Sequence, residues 1–214
     1  MTPEAYDAWY DSPRGRWIGD VEFELLCRHL DMRAGTSLLD VGCGSGWFTR
    51  RFAAAGLDLT GLDVDADALD FARQRSVHDI SYVAGDARRL PLPDQAFDQV
   101  MSITALCFVD DWPRAMAEIV RVTRRRFVLG LLNRHSLLWL DKGRGGGKGA
   151  YRGAHWHSRR ELDAALKALP VEHIHFSSAV FLPSATGVAQ AVERALPNSL
   201  PWGAFLVVSG DVQR

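Results

Sequence analysis

Three acidic residues in glycine-rich settings carry the clearest chemical signal in the chain. The first sits in Leu38-Leu-Asp-Val-Gly-Cys-Gly-Ser-Gly46, the second in Gly61-Leu-Asp-Val64 and the third in Gly85-Asp-Ala-Arg-Arg-Leu-Pro-Leu-Pro93. In the first, an apolar run enters a cluster of glycines and then a helical pattern. Glycines permit a tight turn there and leave no side chain between the backbone and a ligand. Gly42, Gly44 and Gly46 are spaced G-x-G-x-G. A dinucleotide fingerprint, G-x-G-x-x-G, would want a glycine at Trp47, so this spacing argues against nicotinamide or flavin dinucleotides. Asp63 ends a second apolar run, where a carboxylate can accept hydrogen bonds from both hydroxyls of a ribose. Asp65 offers the plainer alternative of a helix cap. Asp86 follows a third run, where an accepting carboxylate would face the exocyclic amine of an adenine.

Other reactive side chains form no comparable constellation. His155 and His157 flank Trp156 in a Gly-Ala-His-Trp-His segment and could act as bases near neutral pH. They serve equally well as loop residues that position the following helix. Cys27, Cys43 and Cys107 are an odd set at unrelated spacings, which suggests neither disulfides nor a metal site. Cys43 and Cys107 read as small packing residues. Arg124-Arg-Arg126 reads as the solvated end of a helix, and Lys142 to Gly153 as one long polar loop. The chain carries 7 tryptophans, enough that some are expected to line a pocket. No catalytic dyad is visible, so the catalytic residues are unassigned.

The elements that must position these groups follow from hydropathy. Asp20 is a candidate cap for a helix reaching Leu30, with Phe23, Leu26, Cys27 and Leu30 on one face. Strands are expected at 37–41, 57–62, 81–84, 97–103 and 127–132. Helical spacing appears at Phe48, Phe52 and Ala55, over 69–74, and at Met116, Ile119 and Val120. Nearly continuous apolar strands alternating with helices predict a parallel sheet covered on both faces. Ser158 with Glu161 predicts a capping box, and 171–182 and 204–211 two further strands.

Taken together, these motifs resemble the class I S-adenosylmethionine-dependent methyltransferases, specifically the small type 11 group that includes the ubiquinone and menaquinone C-methyltransferases. Tyr6-Asp-Ala-Trp-Tyr10 and Arg14-Gly-Arg-Trp17 also look like N-terminal segments of that group. The resemblance implies an α/β Rossmann-like, seven-stranded, mostly parallel sheet with a C-terminal antiparallel hairpin and helices on both faces. It implies S-adenosylmethionine as cofactor and S-adenosylhomocysteine as product. Asp40, Gly42, Cys43 and Gly44 would hold the methionine part and Asp63 the ribose. Val64 would pack on the adenine, Asp86 and Ala87 would meet its edge, and Ser102 would lie under the amino acid. Tyr10 and Trp17 would be lid contacts. One departure stands out: the Pro-Gly turn usual before the fifth strand is missing from Arg121-Val-Thr-Arg-Arg-Arg126.

The bulk properties narrow the function. A chain of 214 residues is expected to form a single domain, with a helical lid segment over 1–34, a cofactor core over 35–132, and a substrate loop with the last strands over 133–214. Net charge is −1, and no apolar run approaches the ~20 residues of a membrane span. The N-terminus lacks the order of a signal peptide, and a cytoplasmic location is expected. These features favour a small-molecule acceptor, with Tyr6, Leu106, His155, Trp156, His157 and the 104–108 loop as candidate substrate contacts. Nucleic acid is disfavoured, because Ser102-Ile-Thr-Ala105 replaces the Asn/Asp-Pro-Pro-aromatic motif of base amino-methylases. Nucleic-acid or protein methylation, a non-catalytic adenosylmethionine-binding role and a nucleotide-dependent oxidoreductase are the alternatives. Monomer and homodimer both stay open.

Overall fold

The computed structural model of the chain describes residues 2–213. Seven strands form one sheet: β1 (Ser37–Val41), β2 (Asp58–Asp63), β3 (Ser81–Ala84), β4 (Phe97–Ile103), β5 (Thr123–Leu132), β6 (Val171–Ala179) and β7 (Phe205–Val212). Their order across the sheet is β3-β2-β1-β4-β5-β7-β6. The first five pair in parallel, and β7 lies antiparallel between β5 and β6. Chain order reverses between β1 and β4. In such sheets the ligand crevice opens beyond the carboxyl ends of the strands at that switch point. The Rossmann-like expectation, including the C-terminal hairpin, is met.

Burial explains why the strands read as apolar runs. Residues 38–41, 99–103 and 127–132 are buried at every position, so both faces of the sheet's centre are covered. β3 and β6 form the edges and are the more exposed strands. Seven α-helices complete the fold: α1 (Pro3–Asp11), α2 (Pro13–His29), α3 (Trp47–Ala54), α4 (Ala66–Arg75), α5 (Trp112–Val122), α6 (Arg159–Leu166) and α7 (Gly187–Ala195).

Several boundaries differ from expectation for local reasons. Asp20 is not a cap. It lies inside α2, which Ser12 begins by accepting from the Gly15 amide at 3.0 Å, and Asp20 instead pairs with Arg51 at 2.8 Å. Ser12 also donates to the Trp9 carbonyl at 2.6 Å, so one serine closes α1 and opens α2. Asp65, the alternative weighed above, does cap α4, accepting from the Asp67 and Ala68 amides. The capping box of Ser158 and Glu161 is present.

Arg124 to Arg126 are strand residues, not a helix end. With no Pro-Gly turn, α5 runs directly into β5 at Thr123, whose hydroxyl donates back to the Ile119 carbonyl at 2.6 Å. The three arginines pair with Asp98, Asp31 and Asp211 respectively. The 142–153 stretch is a series of short turns rather than one open loop, closed by hydrogen bonds from the Lys148 amide to the Lys142 carbonyl and from Gly153 to Gly146. β6 stops at Ala179, short of Leu182, because Val180 takes a positive φ of 63°.

His29 ties α2 to the hairpin. Its Nδ1 lies 2.7 Å from the Ser209 hydroxyl and its Nε2 lies 3.0 Å from that of Ser177. Burial, helped by His175 and Arg126, lowers its pKa to about 4. The unfolded chain therefore takes up a proton near pH 6.5 that the folded chain refuses until about 4, so this site loses stability as pH falls through that window. Thermal melts of His29→Gln should show a shallower decline from pH 6.5 to 4 than the native chain. The same variant should be less stable at pH 7.5 by about 1 kcal/mol, the net worth of a lost hydrogen bond.

Candidate cofactor cleft and adjoining cavity

The cleft begins where β1 ends. Gly42, Gly44 and Gly46 all adopt positive φ, at 77°, 52° and 75°. A Cβ on Gly42 would run into the Ala105 side chain, so glycine there lets the β4 loop approach the turn. A Cβ on Gly44 would meet nothing, because that backbone faces open space. Gly42 and Cys43 both donate their amides to the Leu62 carbonyl, at 2.7 and 3.0 Å, so the turn folds over the end of β2.

Asp63 completes the turn. One carboxylate oxygen accepts from the Gly44 amide at 2.7 Å and the other from the Asp65 amide at 2.9 Å. Asp40 is buried at the end of β1 and accepts from the Thr49 hydroxyl at 2.7 Å. Burial, with Asp63 nearby, raises its pKa to about 7. Asp86 instead holds its neighbour Arg88 through both oxygens, which lowers its pKa to about 2.

These three carboxylates line one cleft of about 490 Å³, with Gly42, Cys43, Gly44, Val64 and Ala87. The cleft is thus open and acidic along the ends of β1, β2 and the turn after β3. Val64 is 77% exposed, an apolar surface ready to cover a flat ring. Those residues suit an adenosyl thioether: an open cradle at Gly44, a carboxylate for paired hydroxyls and an apolar platform.

The remaining candidates are placed elsewhere. Ser102 does not reach the cleft. Its side chain points into the sheet and donates to the Val41 carbonyl at 2.8 Å, leaving Ile103, Thr104 and Ala105 as the β4 contribution to the lining. Trp17 packs against the core and lines neither space described here, and Leu106 is buried. Tyr10 stacks on Trp47 at 3.9 Å between ring centroids and lines an adjoining cavity rather than the cleft.

His155, Trp156 and His157 lie outside both spaces. His157 is fully buried against Trp112 with neither ring nitrogen hydrogen-bonded, and burial lowers its pKa to about 3. That removes it as a base near neutral pH. His155 bonds to Glu161 at 2.7 Å. Burial also raises the Cys43 thiol and pushes Cys107 up to about 12, which fits packing roles.

The adjoining cavity, of about 250 Å³, shares Tyr6, Thr104 and Phe108 with the cleft. Thr104 turns the chain out of β4 with φ 57°, a left-handed conformation costly for a threonine. Sequence reasoning named Tyr6 and the 104–108 loop but missed Glu22, Arg14 and Tyr151, which also line the cavity. The available signal was Arg14, Ile18 and Glu22 at four-residue spacing, a charged residue on an otherwise inward helical face. Among the tryptophans, Trp47 lines the cleft and Trp9 the cavity.

The fold and the cleft define a Rossmann-like domain with an open acidic cleft at the strand ends. Residues 39–129 match the family described as "Methyltransferase domain". Over 101 residues the chain is 39% identical to a malonyl-[acyl-carrier protein] O-methyltransferase of Pectobacterium atrosepticum, covering 47% of this chain and 40% of that one. Over 90 residues it is 39% identical to a demethylmenaquinone methyltransferase of Renibacterium salmoninarum, covering 42% and 38%. The chain therefore spans about two fifths of the length of these curated relatives. A Thermotoga maritima SAM-dependent methyltransferase structure, described as a possible histamine N-methyltransferase, shares the fold with a TM-score of 0.80. It is 24% identical and covers 98% of this chain and 96% of that one. Over residues 39–129 the chain is thus similar to methyltransferase domains, and its fold is that of SAM-dependent methyltransferase structures.

The glycine turn is also braced from α1. Asp7 is buried, accepts from the Ser45 hydroxyl at 3.1 Å and pairs with Arg50 at 2.5 Å, while Arg50 also donates to the Ser45 carbonyl. Asp7→Ala strands a largely buried guanidinium and should cost about 3 kcal/mol in urea unfolding. Asp7→Asn, which still accepts a hydrogen bond, should cost less.

Proposed function

We propose that the protein transfers a methyl group from S-adenosylmethionine to a small molecule seated in the 250 Å³ cavity. The observation that carries this reading is the shared wall. Tyr6, Thr104 and Phe108 border both the cleft and the cavity, so an acceptor and a cofactor would meet there. In this reading Asp40, Gly42, Cys43 and Gly44 bind the methionine part and Asp63 the ribose. Val64, Asp86 and Ala87 bind the adenine, for which Arg88 must share Asp86. The cofactor would supply an electrophilic methyl on a sulfonium.

What the protein supplies is position and dryness. Holding a nucleophile in line with a reactive carbon removes much of a barrier, and excluding water protects the encounter. α1 and α2 close over the cavity through Tyr6, Trp9, Tyr10 and Ile18. This supports treating residues 1–34 as a lid on a single domain whose core is 35–132 and whose remaining part, 133–214, completes the substrate site through Lys142, Ala150 and Tyr151.

The acceptor reading is for a small molecule because side chains from several separate elements converge on a cavity of only about 250 Å³. Among the described residues, no helix is long and apolar enough to cross a membrane. We place the protein in the cytoplasm, in keeping with three free cysteines.

Calorimetry with S-adenosylmethionine, S-adenosylhomocysteine and NAD tests the assignment, and a preference for NAD would overturn it. Asp63→Ala should weaken S-adenosylhomocysteine by about 1.5–3 kcal/mol, roughly 10- to 150-fold, through lost charge-assisted hydrogen bonds. A folded variant with native affinity would remove Asp63 from the site. A labelled-methyl screen over small-molecule extract, with persistent absence of product, would favour the non-catalytic role.

A further inference from the structure

The cavity beside the cleft contains a carboxylate that the methyl-transfer reading does not use. Glu22 lies mid-way along α2, is half-buried and lines the cavity. No hydrogen bond or ion pair joins its side chain to another described residue, in a protein whose other inward-facing acids are all engaged. Asp7 has Arg50 and Ser45, Asp40 has Thr49, and Asp63 has two backbone amides.

The surroundings of Glu22 are aromatic. From α1 come Tyr6, Trp9 and Tyr10, with Tyr6 and Tyr10 hydroxyls 3.2 Å apart, and from the 149–151 turn comes Tyr151. The charged and titratable groups around the cavity are Arg14 on Glu22's own helix, Lys142 on the 139–143 turn, and these three tyrosines. Neither cation compensates Glu22. Lys142 pairs with Asp141 at 3.1 Å, and Glu22's pKa rises to about 8 from burial alone, with no opposing cation. An uncompensated carboxyl surrounded by electron-rich rings is the complement of a ligand cation, which rings attract through their faces and a carboxylate through its charge.

We propose that the acceptor is a small amine, bound in this cavity as its ammonium ion with Glu22 as counter-ion and proton acceptor. The proposal rests on the methyl-transfer reading for its chemistry but not for the binding it predicts. On binding, the neutral Glu22 carboxyl releases its proton to solvent and pairs with the ammonium. In the subsequent step one N–H bond breaks and an O–H bond forms on Glu22. The electron pair of that N–H bond stays on nitrogen, giving the neutral amine that can accept a methyl group. Without that transfer an ammonium has no lone pair to offer, so a resident proton acceptor is a chemical requirement for this substrate class.

The test uses the full chain and its Glu22→Gln variant. Calorimetry against S-adenosylhomocysteine comes first, and both proteins should bind it alike, because Glu22 lies outside the cofactor cleft. Failure at that stage counts against the methyl-transfer reading and leaves the amine site to be judged by the next one. Benzylamine and hexylamine are then titrated in buffers of different ionisation enthalpy near pH 7, beside benzyl alcohol and hexanol. The native protein should bind the amines at least about tenfold more tightly than the alcohols, with proton release, and Glu22→Gln should lose both the preference and the proton release. Equal binding of amines and alcohols, no amine binding to the native protein, or amine binding undiminished in Glu22→Gln would overturn the proposal.

A second measurement guards against a misfolded variant. Glu22 keeps a proton that the unfolded chain releases above pH 4.5, so its stabilising contribution is lost as pH rises toward 8. Thermal midpoints of Glu22→Gln should therefore gain on the native protein across that range. A constant difference between the two would show that Glu22 is not the uncompensated acid the proposal needs.

Discussion

The hydrogen bond from the Gly44 amide to Asp63 is the contact on which the site depends. It joins the loop after β1 to the end of β2 at 2.7 Å, and both ends of that bond also line the cleft. The same carboxylate receives the Asp65 amide, so its plane is fixed from two sides before any ligand arrives. A carboxylate with one free rotamer would have to be ordered on binding, at an entropic cost. Here the backbone has already done the ordering. The parallel register that places Asp40 opposite Gly61, and Asp63 opposite Ala84, then sets the spacing of the acidic groups.

The N-terminal helices extend that arrangement to the adjoining cavity. Asp7 and Arg50 lock α1 to the glycine turn, and Tyr10 stacks on Trp47 at the start of α3. Arg51 lies over both Phe23 and Trp47, which adds α2 to the same cluster. Tyr6 can therefore form a wall of the cleft and of the cavity at once. Because one small set of contacts fixes both spaces, a change that loosens α1 should disturb the cleft and the cavity together.

How far the sequence reveals this depends on whether a feature is local. Asp40, Asp63 and the glycines belong to a turn written in nine consecutive residues and one strand end, and the fold brings them together along one cleft. Ser102 was misplaced because strand alternation decides its direction, and a one-residue error in facing turns a cleft residue into a sheet residue. Asp20 looked like a cap because it precedes an apolar stripe, yet Ser12 begins the helix two turns earlier. Arg124 to Arg126 looked like a helix end because nothing in the sequence announces a helix passing into a strand without a turn. Their acidic partners, Asp98, Asp31 and Asp211, are distant in sequence and visible only after folding. Glu22 is the same kind of omission. A glutamate in a helix normally faces water, and only the packing of α1 and the 149–151 turn around it creates its setting.

Environment then assigns different behaviour to chemically similar acids. Arg88 grips Asp86 and keeps it ionised through the accessible pH range, which suits a group that only accepts hydrogen bonds. Asp40 is moved toward neutrality by burial and by Asp63, and Glu22 by burial alone. Each of the latter two costs the empty fold stability at neutral pH, because burial without a compensating cation disfavours the ionised form that the unfolded chain adopts freely. Such a cost persists where the group is needed in another state. A cation arriving beside either would restore the ionised form and recover that cost as binding free energy. A methionine ammonium beside Asp40 and an amine beside Glu22 would be two uses of the same electrostatic device, one on each side of the wall made by Tyr6 and Thr104.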